Sequence, residues 1–173
     1  TVAVGQSTGC AALLNGLMRK RIPELPQLIL LAPLLRPGHW AGYGEWIYAV
    51  VHRWLKHIPR RFNVNTHDAA FMDFCQQDPL QARQLSVQWV SAMKHWLDNF
   101  AQQPSVPVRT LLIQGEQDST VDWRYNVPQL VQKLSDCQIE YLPDALHHLV
   151  NEAPAIRSQL WQLMDDFLLP PTR

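Results

Sequence analysis

Ser7, Asp118 and His147 are the side chains that could together run nucleophilic acyl chemistry. Ser7 lies in Gly5-Gln6-Ser7-Thr8-Gly9, a G-x-S-x-G pattern. Its logic is steric: a serine on a sharp, strained turn between a strand and a helix needs small flanking residues. Such a turn lifts the hydroxyl above a sheet and sets a helix N-terminus beneath it. That end carries orphan N–H groups and a positive dipole, suited to a developing oxyanion, and the Thr8 N–H is the natural first donor. A serine hydroxyl is a poor nucleophile without a base. His147 and His148 are both candidates, and a carboxylate must orient whichever imidazole serves. Asp118, in the turn Gly115-Glu116-Gln117-Asp118, is the candidate; Asp122 is its rival, with a helix or turn cap as its other reading.

The elements that must position these groups alternate. Thr1 to Val4 is a short apolar run ending at Gly5 and reads as the end of a buried strand. Thr8 to Arg19 has a helical pattern of small and apolar residues. Leu28 to Ala32 reads as a second buried strand, and Pro37-Gly38 breaks the chain. Val108 to Gln114 reads as a third strand, Val127 to Leu134 as helical and Ile139 to Leu142 as a fourth strand. Pro154 to Leu169 reads as a last helix, with Ile156, Leu160, Leu163, Met164 and Phe167 apolar. The order predicts an α/β fold, a parallel sheet with flanking helices, formed by residues 1–36 and 104–173. Chemistry in such sheets sits at the carboxyl ends of the strands, where Ser7, Asp118 and His147 all fall. Residues 37–103 read as a helical cap inserted between two strands. Helical patterns there run from Glu45 to His57, ended by Pro59, and from Pro79 to Ala101, with Asp78 as N-cap. No strand pattern is obvious in this stretch.

Composition narrows the functions. The chain has 173 residues, one domain's worth, with 15 basic and 15 acidic side chains and no basic run, which argues against nucleic acid as a partner. Charged residues are 17% of the chain, below the roughly 25% of an average domain, and tryptophans number seven. Both point to an apolar cleft or contact surface. No apolar run approaches the ~18 residues of a membrane span; that from Leu28 to Leu35 is interrupted by Pro33. Cys10, Cys75 and Cys137 are widely spaced and odd in number, which predicts reduced, buried thiols and a cytoplasmic setting; Cys10 is the one expected to be reachable by reagents. The first residues read as a strand entering a turn, not as a secretion signal. His52 and His57 are five apart and do not share a helix face, so no metal is expected, and no cofactor motif is present. The tryptophans of the insertion read either as packing or as lining for an acyl chain.

Three segments carry a family resemblance. Gly5 to Gly9 is similar to the nucleophile elbow of the α/β-hydrolases. Leu112-Ile113-Gln114-Gly115-Glu116-Gln117-Asp118 is similar to their acid strand and turn. His147-His148-Leu149-Val150-Asn151-Glu152 resembles the histidine loop of the lysophospholipase and monoacylglycerol-lipase-like branch, His-x-Leu followed two positions later by Glu. The order Ser, Asp, His is that expected of the superfamily. The resemblance selects His147 over His148 as the base. It implies a lipase-like serine esterase without cofactor, cleaving an ester with an apolar acyl chain such as a lysophospholipid or monoacylglycerol. It also implies peripheral membrane contact through the cap. Gln6 stands where His is common, and Cys10 where Gly is common. The family's first strands, and the His-Gly loop with the second oxyanion donor, would precede Thr1. The expectation is therefore a partial sheet that pairs with its N-terminal part or with a second chain. The same residues would also serve a thioesterase, an acyltransferase or a C–C bond hydrolase, and a non-catalytic interaction domain is the reading from a different class.

Overall fold

The computed structural model describes residues 1–60 and 63–169. Its main sheet has four parallel strands in the order β1-β2-β5-β6, where β1 is Val2–Gln6, β2 is Gln27–Leu31, β5 is Val106–Gly115 and β6 is Leu134–Leu142. Helix α1 (Thr8–Met18) joins β1 to β2, and α5 (Trp123–Val131) joins β5 to β6. Helix α6 (Pro154–Leu168) follows β6, with Pro154 in its first turn where the missing N–H costs nothing.

The central strands β2 and β5 are covered on both faces, which is why residues 28–31 and 111–113 read as continuous apolar runs and not as alternation. Leu28, Leu30 and Leu112 pack on one face with Cys10 and Leu14 of α1 and with Val127 and Leu130 of α5. Ile29, Leu31, Leu111 and Ile113 pack on the other with Leu160, Met164 and Phe167 of α6. Adjacent strand residues thus serve opposite layers, and the spacing in α6 is the three-to-four-residue stripe of a helix with one apolar face.

Between β2 and β5 the chain leaves the sheet. This insertion holds a π-helical turn at Trp40–Gly44, α2 (Glu45–Val51), β3 (His57–Pro59), α3 (Ala69–Gln77), β4 (Gln84–Ser86) and α4 (Val87–Asn99). Three expectations need correction here. The helical pattern from Glu45 to His57 ends at Val51, and Pro59 lies in a strand instead of stopping a helix. Strands β3 and β4 pair antiparallel, three residues each. Runs that short show no period-2 signal, and in a two-stranded ribbon a proline can sit on an edge. Asp78 does not cap a helix beginning at Pro79. Its N–H closes α3 on the Phe74 carbonyl, and its Oδ1 accepts from Leu80 N at 2.8 Å, an Asx turn. The same carboxylate chemistry serves as an N-cap one helix earlier, where Asp68 accepts from Phe71 N at 3.0 Å. Among the described residues no helix is long and apolar enough to cross a membrane.

Candidate active site

Ser7 stands between β1 and α1 with φ 54° and ψ −116°, a conformation that non-glycine residues rarely adopt. A Cβ on Gly5 would lie 2.9 Å from Cys10 N and from Leu13 Cδ1, so the turn requires glycine there. Gly9 has open space beside it, so of the two glycines in the pattern only the first is forced by packing. Ser7 N donates to the Leu31 carbonyl and Leu34 N to the Ser7 carbonyl, which pins the elbow to the end of β2.

The carboxyl ends of β5 and β6 bring the other two groups over the elbow. His147 Nε2 lies 2.9 Å from Ser7 Oγ, and His147 Nδ1 lies 2.7 Å from Asp118 Oδ2. A carboxylate can only accept, so Nδ1 carries the proton and Nε2 is left to accept from the serine hydroxyl. Asp118 and His147 are both buried. Asp118 Oδ1 accepts from Thr120 N at 2.7 Å and from Val121 N at 3.2 Å, and Oδ2 also accepts from Gln114 Nε2 at 3.2 Å. The carboxylate is therefore fixed by its own turn before it meets the imidazole. Gly115 allows this close approach: a methyl there would strike the carbonyl oxygens of Ala145 and Leu146.

The rivals have other partners. Asp122 caps α5, accepting from Tyr125 N, and pairs with Arg36 at 2.7 Å. His148 packs against Phe71, and its N–H donates to the Asn65 carbonyl. Burial, then the neighbouring His147 and Arg60, hold the His148 imidazole below its usual pKa, so it is neutral near pH 7. Cys10 is 0% exposed, and burial pushes its thiol up to about 12, which corrects the expectation that reagents would reach it.

Two site residues were not assigned a role from sequence. Gln114 is a fully buried amide directly after the apolar run of residues 111–113 in β5. That polar interruption between Ile113 and Gly115 was its signal. Glu152, 0% exposed, accepts from Leu146 N at 2.8 Å, His67 N at 2.9 Å, Ala153 N at 3.1 Å and the His67 ring at 3.1 Å. It thereby ties the backbone just before His147 to the insertion. Only its partner in the insertion, about 85 residues away in sequence, explains it.

The hydroxyl and imidazole open into a cavity of about 900 Å³ between the sheet and the insertion. Ser7, Thr8 and His147 form its floor. Trp40, Tyr48, Val90 and Met93 are among its apolar walls, with Arg60, Asn65 and Gln84 also lining it. Of the insertion's aromatics, Trp40, Tyr48 and Trp89 thus face the cavity, whereas Trp46 and Trp54 point outward.

The family model described as serine aminopeptidase, S33, matches residues 1–154. No curated protein matches the sequence. Among solved structures, a monoacylglycerol lipase from Paleococcus ferrophilus superposes with a TM-score of 0.76 at 13% identity, over 95% of this chain and 68% of that one. A soluble variant of the monoglyceride lipase from Saccharomyces cerevisiae, in complex with a substrate analogue, gives 0.79 at 16% identity, over 95% and 60%. A carboxyl esterase from Bacillus coagulans gives 0.69 at 14%, over 96% and 63%. This chain therefore spans about three fifths to two thirds of those chains, and at such identities the likeness is one of fold.

Proposed function

From the premise that the chain belongs to the serine aminopeptidase S33 family of α/β hydrolases, we propose that it is a serine esterase for substrates with an apolar acyl chain, of the monoacylglycerol or lysophospholipid type. The observation that carries this reading is the hydrogen-bonded series Ser7–His147–Asp118 opening into a large, mainly apolar cavity.

In this reading Ser7 Oγ attacks the ester carbonyl while His147 Nε2 takes its proton. Asp118 holds the imidazole in the tautomer that can accept and stabilises the imidazolium that forms. The Thr8 N–H, in the first turn of α1 and so without an intrahelical acceptor, donates to the oxyanion. His147 then returns the proton to the leaving alkoxide, and water activated by the same imidazole clears the acyl-enzyme. The proton transfers run through the 2.9 Å and 2.7 Å contacts of His147.

The lining supports an ester over a peptide. Among the described residues that line the cavity there is no Asp or Glu to hold the free α-ammonium group of a peptide. Its apolar walls instead suit a hydrocarbon chain, with the polar Asn65, Gln84 and Arg60 available for a head group. The lipases and esterase among the structural neighbours support the same class.

The test is intact-mass labelling with a fluorophosphonate, on the parent and on Ser7→Ala, followed by hydrolysis of p-nitrophenyl esters of increasing chain length. One adduct on the parent and none on the variant is expected. Each added methylene should raise kcat/KM about fourfold until the cavity is filled, from ~0.8 kcal/mol per buried methylene. An unlabelled parent, or a flat chain-length series, would count against the proposal.

A further inference from the structure

We propose that the cavity holds a phosphate monoester group at Arg60 and His148, carried on the leaving alcohol of the substrate; this deepens the esterase reading and rests on it. Among the described residues that line the cavity, Asp, Glu, Lys and Arg are represented by Arg60 alone. The stretch that brings Arg60 to the wall, from Trp46 to His67, also holds Arg53, Lys56 and Arg61 and has no carboxylate. The polar lining groups gather on one side. Arg60 follows β3 directly, and Gln84 opens β4 as the register partner of Pro59. Arg60 N donates to the Arg83 carbonyl at 3.0 Å, and its Nη1 donates to Gln81 Oε1 at 3.2 Å. Gln81 thus fixes a guanidinium nitrogen without bringing an opposite charge. Asn65 and His148 complete the group, tied by the His148 N–H on the Asn65 carbonyl at 2.8 Å. Arg60 is one of the charges, after burial and His147, that keep the His148 imidazole neutral, so ring and guanidinium are within electrostatic reach. Trp40, Val90 and Met93 stand in a separate apolar cluster, with Tyr48 packed against it.

Ester cleavage dictates which half of the substrate meets which side. His147 Nε2 hands its proton to the leaving alkoxide, so the alcohol lies on the imidazole side of Ser7. The His148 ring stands next on that side, edge-on to His147 with centroids 5.6 Å apart. The acyl chain is left with the apolar cluster. Around the alcohol, Arg60 supplies a charged fork of donors, and the His148 ring and the Asn65 and Gln84 amides can add further N–H groups. Such a set matches the three terminal oxygens of a phosphate monoester. A neutral glycerol would draw nothing from the guanidinium charge, and a trimethylammonium group would meet a like charge.

The experiment compares three ethers that cannot be hydrolysed: 1-O-decylglycerol, its 3-phosphate and its 3-phosphocholine, each below the concentration at which it aggregates. Binding to the full chain is read by tryptophan emission, to which Trp40 and Trp89 in the cavity lining contribute, and it needs no catalysis. The 3-phosphate should bind roughly three- to tenfold more tightly than either of the others, a modest factor because Arg60 is exposed and its pull is partly screened. Salt at about 1 M, where the Debye length is ~3 Å, should remove most of that difference in the parent, without any substitution. Arg60→Gln should bring the ratio close to one, and Arg60→Lys, which keeps the charge, should retain most of it. The matching 1-decanoyl esters should follow the same order in kcat/KM. A 3-phosphate that binds no more tightly than either other ether overturns the proposal, as does a preference that survives both the salt and Arg60→Gln. Selective binding of the 3-phosphate, with none of the three esters cleaved and no fluorophosphonate adduct, would support the anion site and sink the esterase reading.

Discussion

Replacing Glu152 by Gln tests whether the insertion helps to hold His147 in place. The carboxylate is completely buried and takes three backbone N–H groups and the His67 ring, all between 2.8 and 3.1 Å. A glutamine can satisfy either Leu146 or the His67 and Ala153 side, but its amide then points N–H at N–H on the other. With charge-assisted bonds at ~1.5–3 kcal/mol each and no simple additivity, Glu152→Gln should cost about 3 kcal/mol, and Glu152→Ala about 3–5 kcal/mol. For a chain of this size that is a fall in Tm of about 6–12 °C for Glu152→Gln and about 6–20 °C for Glu152→Ala. The loss should depend on pH. Burial alone would raise the Glu152 pKa, but the His67, Leu146 and Ala153 N–H groups and the His67 ring outweigh it and hold the carboxyl below its usual value. A depressed pKa stabilises the fold above the unfolded value, ~4.3, and that contribution fades as pH falls through the folded one. The difference in Tm should therefore be full at pH 7 and shrink below about pH 4. Because Leu146 precedes His147 directly, kcat should fall about 10- to 100-fold, measured well below both melting temperatures, while KM changes little. A Gln variant that melts within about 1 °C of the parent and keeps its kcat would refute the reasoning.

Other changes test the remaining parts of the site. Asp118→Asn should lower kcat about 10³- to 10⁴-fold with the circular dichroism spectrum unchanged, because an amide cannot accept from His147, Thr120 and Val121 together; a loss under tenfold would count against Asp118 as the orienting group. Gly115→Ala should cost about 3 kcal/mol or more, since its methyl meets two backbone carbonyls that cannot turn aside; a parental Tm would show that the two loops are not held this closely. Thiol titration at pH 8 should leave Cys10 unmodified in the native protein and count all three cysteines only after unfolding; rapid native modification of Cys10 would contradict its burial.

The elements that the sequence showed plainly are those whose signal is local. β2 and β5 hold apolar runs because both faces of the sheet are covered there, and α6 shows its buried stripe as Leu160, Met164 and Phe167. Ser7, Asp118 and His147 were legible because each follows a strand end, where a parallel sheet gathers its chemistry. The insertion was harder because its structure depends on contacts between segments. His57–Pro59 and Gln84–Ser86 form strands only through each other, across the 24 residues 60–83. Asp78 followed by Pro79 is as good a helix start as any by type, and only the Asx turn to Leu80 decides otherwise. Glu152 was visible as part of a pattern, but its function in the fold rests on Thr66 and His67, which no local signal ties to it.

The insertion is rooted on the two loops that carry Asp118 and His147. At its start, Gly38 N donates to the Thr120 carbonyl, Pro37 bridges Val121, and the Arg36 guanidinium grips Asp122, so the chain entering the insertion braces the turn that presents Asp118. Farther on, His148 N reaches the Asn65 carbonyl, Thr66 Oγ1 donates to the Asn151 carbonyl at 2.5 Å, and Glu152 takes the His67 N–H. These bonds brace the loop that presents His147. A displacement of the insertion as a rigid piece would therefore break hydrogen bonds at both roots and disturb the 2.7 Å and 2.9 Å contacts of His147. The segment between those roots, from Trp40 to Arg60, is held separately, by Tyr48 on Ser91, Glu45 on Lys94 and the pairing of β3 with β4, and it carries the cavity wall formed by Ile47 and Tyr48.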